Sequence, residues 1–109
     1  MKSEEYLNKV VKVKVDRKLG SKHPEYNSIY PINNGYVPNT ISGDGKELDC
    51  YIIGVFDPVL EFEGRCIAII KRTNDNEDKL IIAPKDYSDD AIEALVEFQE
   101  RFFEDRLVR

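Results

Sequence analysis

The sequence predicts a mainly β fold with a C-terminal α-helix, a small closed or half-closed barrel capped by that helix. Three observations carry the prediction. Short apolar runs recur between turn signals at Val10–Val15, Cys50–Phe56, Arg65–Arg72 and Lys79–Ala83. The hydrophobic period then changes from that of strands to that of a helix after Ser88. A length of 109 residues sets one domain over 1–109, with room for one modest core.

The elements follow in order. Val11, Val13 and Val15 alternate with Lys12 and Lys14, the pattern of a half-buried strand with lysines toward solvent. Asp16–Ser28 is polar, with Gly20, Ser21 and Pro24, and reads as a loop. Ile29–Asp49 holds two tyrosines, three asparagines, three glycines and two prolines, too much punctuation for a helix or long strand. It reads as an irregular loop on a rigid frame, the usual home of a site. CYIIGVF from Cys50 is a compact strand, CIAII after Arg65 a central one, and KLIIA from Lys79 a further one ended by Pro84. The acidic turn TNDNED lies between the last two. Ser88 is an N-cap, with Asp89 and Asp90 where the helix dipole favours acids. Ile92, Leu95, Val96 and Phe102 or Phe103 recur at helical spacing. The barrel is thus expected over about 10–84 and the helix over about 88–106.

A net charge of −5 argues against an electrostatic nucleic-acid binder, which needs a basic face for phosphates. A small phosphorylated ligand held through metal ions stays compatible, because the metal supplies the positive charge. Cys50 and Cys66 sit in apolar runs without metal-site spacing and read as buried thiols of a reducing cytoplasm, with a single disulfide as the alternative. The N-terminal stretch is acidic where a signal peptide is basic, and no apolar run is long enough to span a bilayer. The expectation is a cytoplasmic protein with no membrane contact, a homo-oligomer that buries the apolar helix face.

Two acidic clusters flank the apolar strands. Asp44 and Asp49 are the first, spaced by Gly45 so that their carboxylates can converge on a hard divalent cation. Asp75, Glu77 and Asp78 are the second. Taken alone, Asp44 suits a turn, Asp49 a surface position and the second cluster a solvated hairpin. Their placement at the ends of neighbouring strands allows them to face one another across a barrel mouth. Lys22, Tyr30 and Lys79 are candidates for phosphate contact, with exposed loop and packing roles as the alternatives. His23 is the only histidine and reads as a loop residue.

The run Tyr30-Pro31-Ile32-Asn33-Asn34-Gly35-Tyr36, followed by Asp44-Gly45-Lys46-Glu47-Leu48-Asp49, resembles the active-site region of soluble inorganic pyrophosphatases. Lys71–Pro84 is similar to that family's second acidic cluster, with its following lysine, apolar strand and proline. The resemblance covers about Val13 to Pro84. It implies a five-stranded barrel of the oligonucleotide-binding type with a helix outside. It also implies hydrolysis of pyrophosphate with Mg²⁺ or Mn²⁺. By position it makes Asp44 and Asp49 catalytic metal ligands, and Asp75 with either Glu77 or Asp78 the second metal cluster. Lys22, Tyr30 and Lys79 become substrate-binding residues. Lys46 stands at the middle aspartate of the motif and Asn34 at its second tyrosine. That departure admits a second reading, a related protein that binds a phosphorylated molecule or a partner without hydrolysis.

Overall fold

The computed structural model describes residues 2–40, 45–73 and 77–109. A 3₁₀ turn at Ser3–Tyr6 leads into β1 (Val10–Arg17). β2 (Asn33–Val37), β3 (Leu48–Ile52), β4 (Glu61–Arg72) and β5 (Asp78–Ala83) follow, then α1 (Asp89–Glu100) and β6 (Asp105–Val108). The strands lie in the order β1-β2-β3-β5-β4-β6, and β1 also pairs with β4. That extra pairing closes β1 to β5 into the expected five-stranded barrel, with β6 added to the far half of β4. All pairings are antiparallel except β3 with β5.

The continuous apolar runs follow from burial of both strand faces. Cys50, Ile52, Leu80 and Ile82 join Val11, Val13, Cys66 and Ile69 in one core, the inside of the barrel. Tyr51, Ile53, Ile81, Ala68 and Ile70 point the other way and pack with Ile92 and Val96 of α1. Successive side chains of a strand alternate faces, so β3 and β5 each feed both layers. At about 1.5–3 kcal/mol per buried aliphatic side chain, these two layers supply the main driving force. Ser88 caps α1 as expected, its Oγ accepting from the Ala91 amide at 3.2 Å. Among the described residues no helix is long and apolar enough to cross a membrane.

The structure differs from the sequence expectation at two places. The stretch read as an irregular loop contains β2, whose residues are alternately buried and half-exposed. Gly35 is what lets this polar segment pair tightly: a Cβ there would lie 2.0 Å from the Lys14 carbonyl oxygen of β1. Asn33, fully buried, ties β2 to two loops, accepting from the Leu19 and Val59 amides and donating to the Asp57 carbonyl. The helix, expected to about residue 106, ends at Glu100. Phe103 leaves helical register to cover the Arg72 guanidinium, and Asp105–Val108 pairs with β4 instead.

Candidate functional site

The parallel pairing of β3 and β5 sets Asp49 opposite Lys79. Lys79 Nζ donates to Asp49 Oδ2 at 3.1 Å and lies 3.5 Å from Glu77 Oε1. It also sits 5.4 Å from the Tyr51 ring centre. Glu77 and Lys79 are two residues apart and so share the outer face of the barrel, beside the end of α1. Asp78 falls on the opposite face. Its Oδ2 accepts from Ser3 Oγ at 2.6 Å and from Lys71 Nζ at 3.3 Å. Strand alternation thus separates the two residues that the sequence left as alternatives: Glu77 stands with Asp49, and Asp78 pins the N-terminal turn. Asp44 and Asp75 lie outside the described residues.

Glu77 and Asp49 share a hydrogen bond, which with partial burial raises the Glu77 carboxyl above its ordinary value. Two carboxylates this close repel unless a proton or a cation lies between them, and here the Lys79 ammonium meets both. The donors are oxygens of hard character, and a divalent cation in place of the shared proton suits them. Among the described residues no three acidic, histidine or cysteine side chains converge. Asp49 and Glu77 could therefore supply two ligands to a cation, fewer than a complete site.

A cavity of about 170 Å³ opens beside this pair. Asp49 and Lys79 line it together with Arg17, His23, Tyr30 and Asn34. Tyr30 is buried, and desolvation raises its hydroxyl pKa, so the hydroxyl keeps its proton as a donor. His23 stacks on Tyr30 with ring centres 5.5 Å apart. The His23 Nδ1 accepts from the Glu25 and Tyr26 amides at 3.0 and 3.3 Å. Neutral His23 therefore carries its proton on Nε2. Asn34 Oδ1 is buried with no hydrogen-bond partner, an acceptor left for a molecule that enters.

Of the expected substrate-binding residues, Tyr30 and Lys79 line the cavity. Lys22 is exposed and does not; the cation that does is Arg17, at the end of β1. Sequence reading missed Arg17 because it looked like the start of a polar loop, and took His23 for a bland loop residue. A basic residue ending a half-buried strand that leads to the tyrosine run was the available signal. Lys46 is exposed in the turn before β3 and is not a lining residue.

A family profile described as inorganic pyrophosphatase matches residues 2–106. The chain belongs to the inorganic pyrophosphatase family. It is 36% identical over 76 residues to the inorganic pyrophosphatase of Mycoplasma pneumoniae, an alignment of 67% of this chain and 38% of that protein. It is 37% identical over 82 residues to that of Saccharolobus solfataricus, covering 71% of this chain and 44% of the other. The match thus spans less than half the length of these relatives. The fold is also that of the solved inorganic pyrophosphatase from Ehrlichia chaffeensis, with a TM-score of 0.69 at 17% identity over 92% of this chain and 85% of that one. The Thermus thermophilus enzyme gives 0.62 at 16% identity, over 92% and 80%.

Proposed function

We propose that this chain hydrolyses inorganic pyrophosphate to two phosphates, with Mg²⁺ or Mn²⁺ as cofactor. The observation that carries the reading is the Asp49–Glu77 pair, whose Asp49 lines the cavity with Lys79 and Arg17, in a chain of this family. Asp49 and Glu77 would hold the cation, with Asp44 and Asp75 as further proposed ligands. When bound, the cation offsets charge on the phosphoryl oxygens and lowers the pKa of the attacking water.

The chain's own groups do the rest. Lys79 and Arg17 supply positive charge to the anionic substrate, Arg17 with a planar fork suited to phosphate. The Tyr30 hydroxyl and the His23 Nε2–H are fixed donors to phosphoryl oxygens. Asn34 Oδ1 accepts from a water or a protonated phosphate. The Tyr51 ring and α1 behind Lys79 exclude solvent from one side, which strengthens each of these contacts. The buried thiols suit a reducing cytoplasm. Exposed Tyr26, Ile29 and Phe102 suit a homo-oligomer.

Phosphate release from pyrophosphate by purified protein, with Mg²⁺ or Mn²⁺ and an EDTA control, tests the proposal. Cation-dependent turnover that disappears in Asp49→Asn with the fold intact is the expected result. A folded protein that binds phosphate yet releases none would replace hydrolysis by binding, with Lys46 at the motif's middle position as the reason.

A further inference from the structure

Arg72, at the end of β4, is a charged residue only 7% exposed. Its Nε and Nη2 donate to the two oxygens of Glu100, at 3.1 and 2.7 Å. Its Nη1 donates to Glu77 Oε2 at 2.7 Å. The Phe103 ring covers the guanidinium at 3.6 Å. Glu100 is the last residue of α1 and also accepts from the Tyr51 hydroxyl at 2.5 Å. Tyr51 stands two residues past Asp49 on the same face of β3. Side-chain contacts therefore run from Tyr51 on β3 through Glu100 on α1, Arg72 on β4 and Glu77 to Asp49, and the β3 backbone between Asp49 and Tyr51 closes the ring.

This ring restricts Glu77 in a way a single ion pair would not. A guanidinium gripped by both oxygens of one carboxylate has a fixed plane, so its remaining nitrogen points in a fixed direction. That nitrogen holds Glu77 Oε2. The other oxygen, Oε1, is then left turned toward Lys79 at 3.5 Å. A glutamate on a turn would otherwise spread over several rotamers, and repulsion by Asp49 would favour those pointing away.

We propose that Arg72, locked by Glu100 and Tyr51, is a positioning residue that holds Glu77 beside Asp49 in cation-binding geometry. The inference rests on Asp49 and Glu77 being cation ligands of the proposed pyrophosphatase site. It makes the last turn of α1 part of the site without touching the substrate. A merely structural network makes a different forecast. Weakening one partner of a buried ion pair lowers the melting temperature, and a network with that role alone leaves cation affinity unchanged.

The test is Mn²⁺ affinity of the full chain, read by electron paramagnetic resonance, beside thermal melting and the Mg²⁺ dependence of phosphate release. Arg72→Lys keeps the charge but loses the fork. Mn²⁺ binding is expected to weaken about tenfold or more, the scale of groups that orient a ligand. The KM for pyrophosphate is expected to stay within about twofold. Tyr51→Phe keeps the packed ring and deletes only the hydroxyl, and is expected to weaken Mn²⁺ binding by a smaller factor. It carries the test if Arg72→Lys does not fold. Arg101→Gln, which breaks the exposed pair with Glu97 on the same helix, should change nothing. Wild-type Mn²⁺ affinity in the folded Arg72→Lys or, failing that, in Tyr51→Phe overturns the proposal. Wild-type protein that binds Mn²⁺ but releases no phosphate overturns the hydrolytic reading, while the affinities still decide the role of Arg72. Wild-type protein that binds no Mn²⁺ overturns both.

Discussion

The two sides of β5 at its N-terminal end carry the same kind of residue to opposite uses. On the outer side Glu77 meets Asp49 and Lys79, which line the cavity. One residue later, on the inner side, Asp78 accepts from Ser3 and Lys71, and Lys71 reaches on to Glu4 at 3.0 Å. One carboxylate, paired with Arg72 and Lys79, is also held near another acid, which suits a cation shared between the two. The other is neutralised by a lysine and a hydroxyl, which suits a fastening. Composition cannot distinguish them; the alternation of a strand does.

Deeper in the strand the contrast should vanish. Leu80 and Ile81 are both fully buried on opposite faces, one in the barrel and one beneath α1. Leu80→Ala and Ile81→Ala are each expected to cost about 2–5 kcal/mol, measured by denaturant unfolding. A loss under about 1 kcal/mol at Ile81 would mean that the outer layer is not a second core. At the strand's start the contrast should be sharpest in function. Glu77→Gln is expected to lower phosphate release about a hundredfold with little change in melting. Asp78→Asn should leave the rate nearly unchanged and cost about 1 kcal/mol of stability. Equal rates in the two variants would break the comparison.

The same pairing of lining and exposed groups predicts a smaller difference among cations. Arg17→Met is expected to raise the KM for pyrophosphate about tenfold, the effect of losing one charged contact. Lys22→Met should leave KM near wild type, and a rise of similar size there would move the phosphate site toward the loop. The smallest effect concerns Asp105, beside Glu100 on the outer side. Partial burial and a hydrogen bond with Glu100 raise its carboxyl from 3.8 to about 6. A raised acid binds its proton more tightly folded than unfolded, so it favours the fold below pH about 4 and loses that advantage as pH rises to about 6. Asp105→Asn should therefore raise the melting temperature at pH 7.5 relative to wild type, with no gain at pH 4, in a pH series of thermal melts. An equal shift at both pH values would remove the carboxyl's ionisation as its cause.

Particular residues show how far the sequence was readable. Val11 and Val13 against Lys12 and Lys14 announced β1 because its period of two is visible in polarity. The runs of β3, β4 and β5 announced strands but not faces, because both faces are apolar. β2 was hidden: Asn33, Asn34 and Gly35 read as turn chemistry, while one is a buried loop staple and another a close approach. β6 was hidden for the opposite reason. Phe103 and Leu107 have helical spacing, yet one lies over Arg72 and the other packs from a strand. Of the site, Asp49, Tyr30 and Lys79 were legible as a motif. Arg17 and His23 were not: a register shift sets Arg17 opposite Asn34, and His23 reaches the cavity from the folded-back 18–29 loop. The ring through Arg72 was invisible, since its members come from two strands, a helix and the residue before β5.

The parallel pairing of β3 with β5 also has a consequence for the order in which the chain becomes competent. β4 lies between these strands in sequence but not in the sheet. Asp49 and Lys79, thirty residues apart, meet only after β4 has crossed to β1 and β5 has entered the gap beside β3. Pairings of that separation carry a large closure entropy and form slowly. A nascent or refolding chain thus owns every residue of its site well before it owns the site. Recovery of the proposed hydrolysis would then mark the closing strand, not the collapse that precedes it.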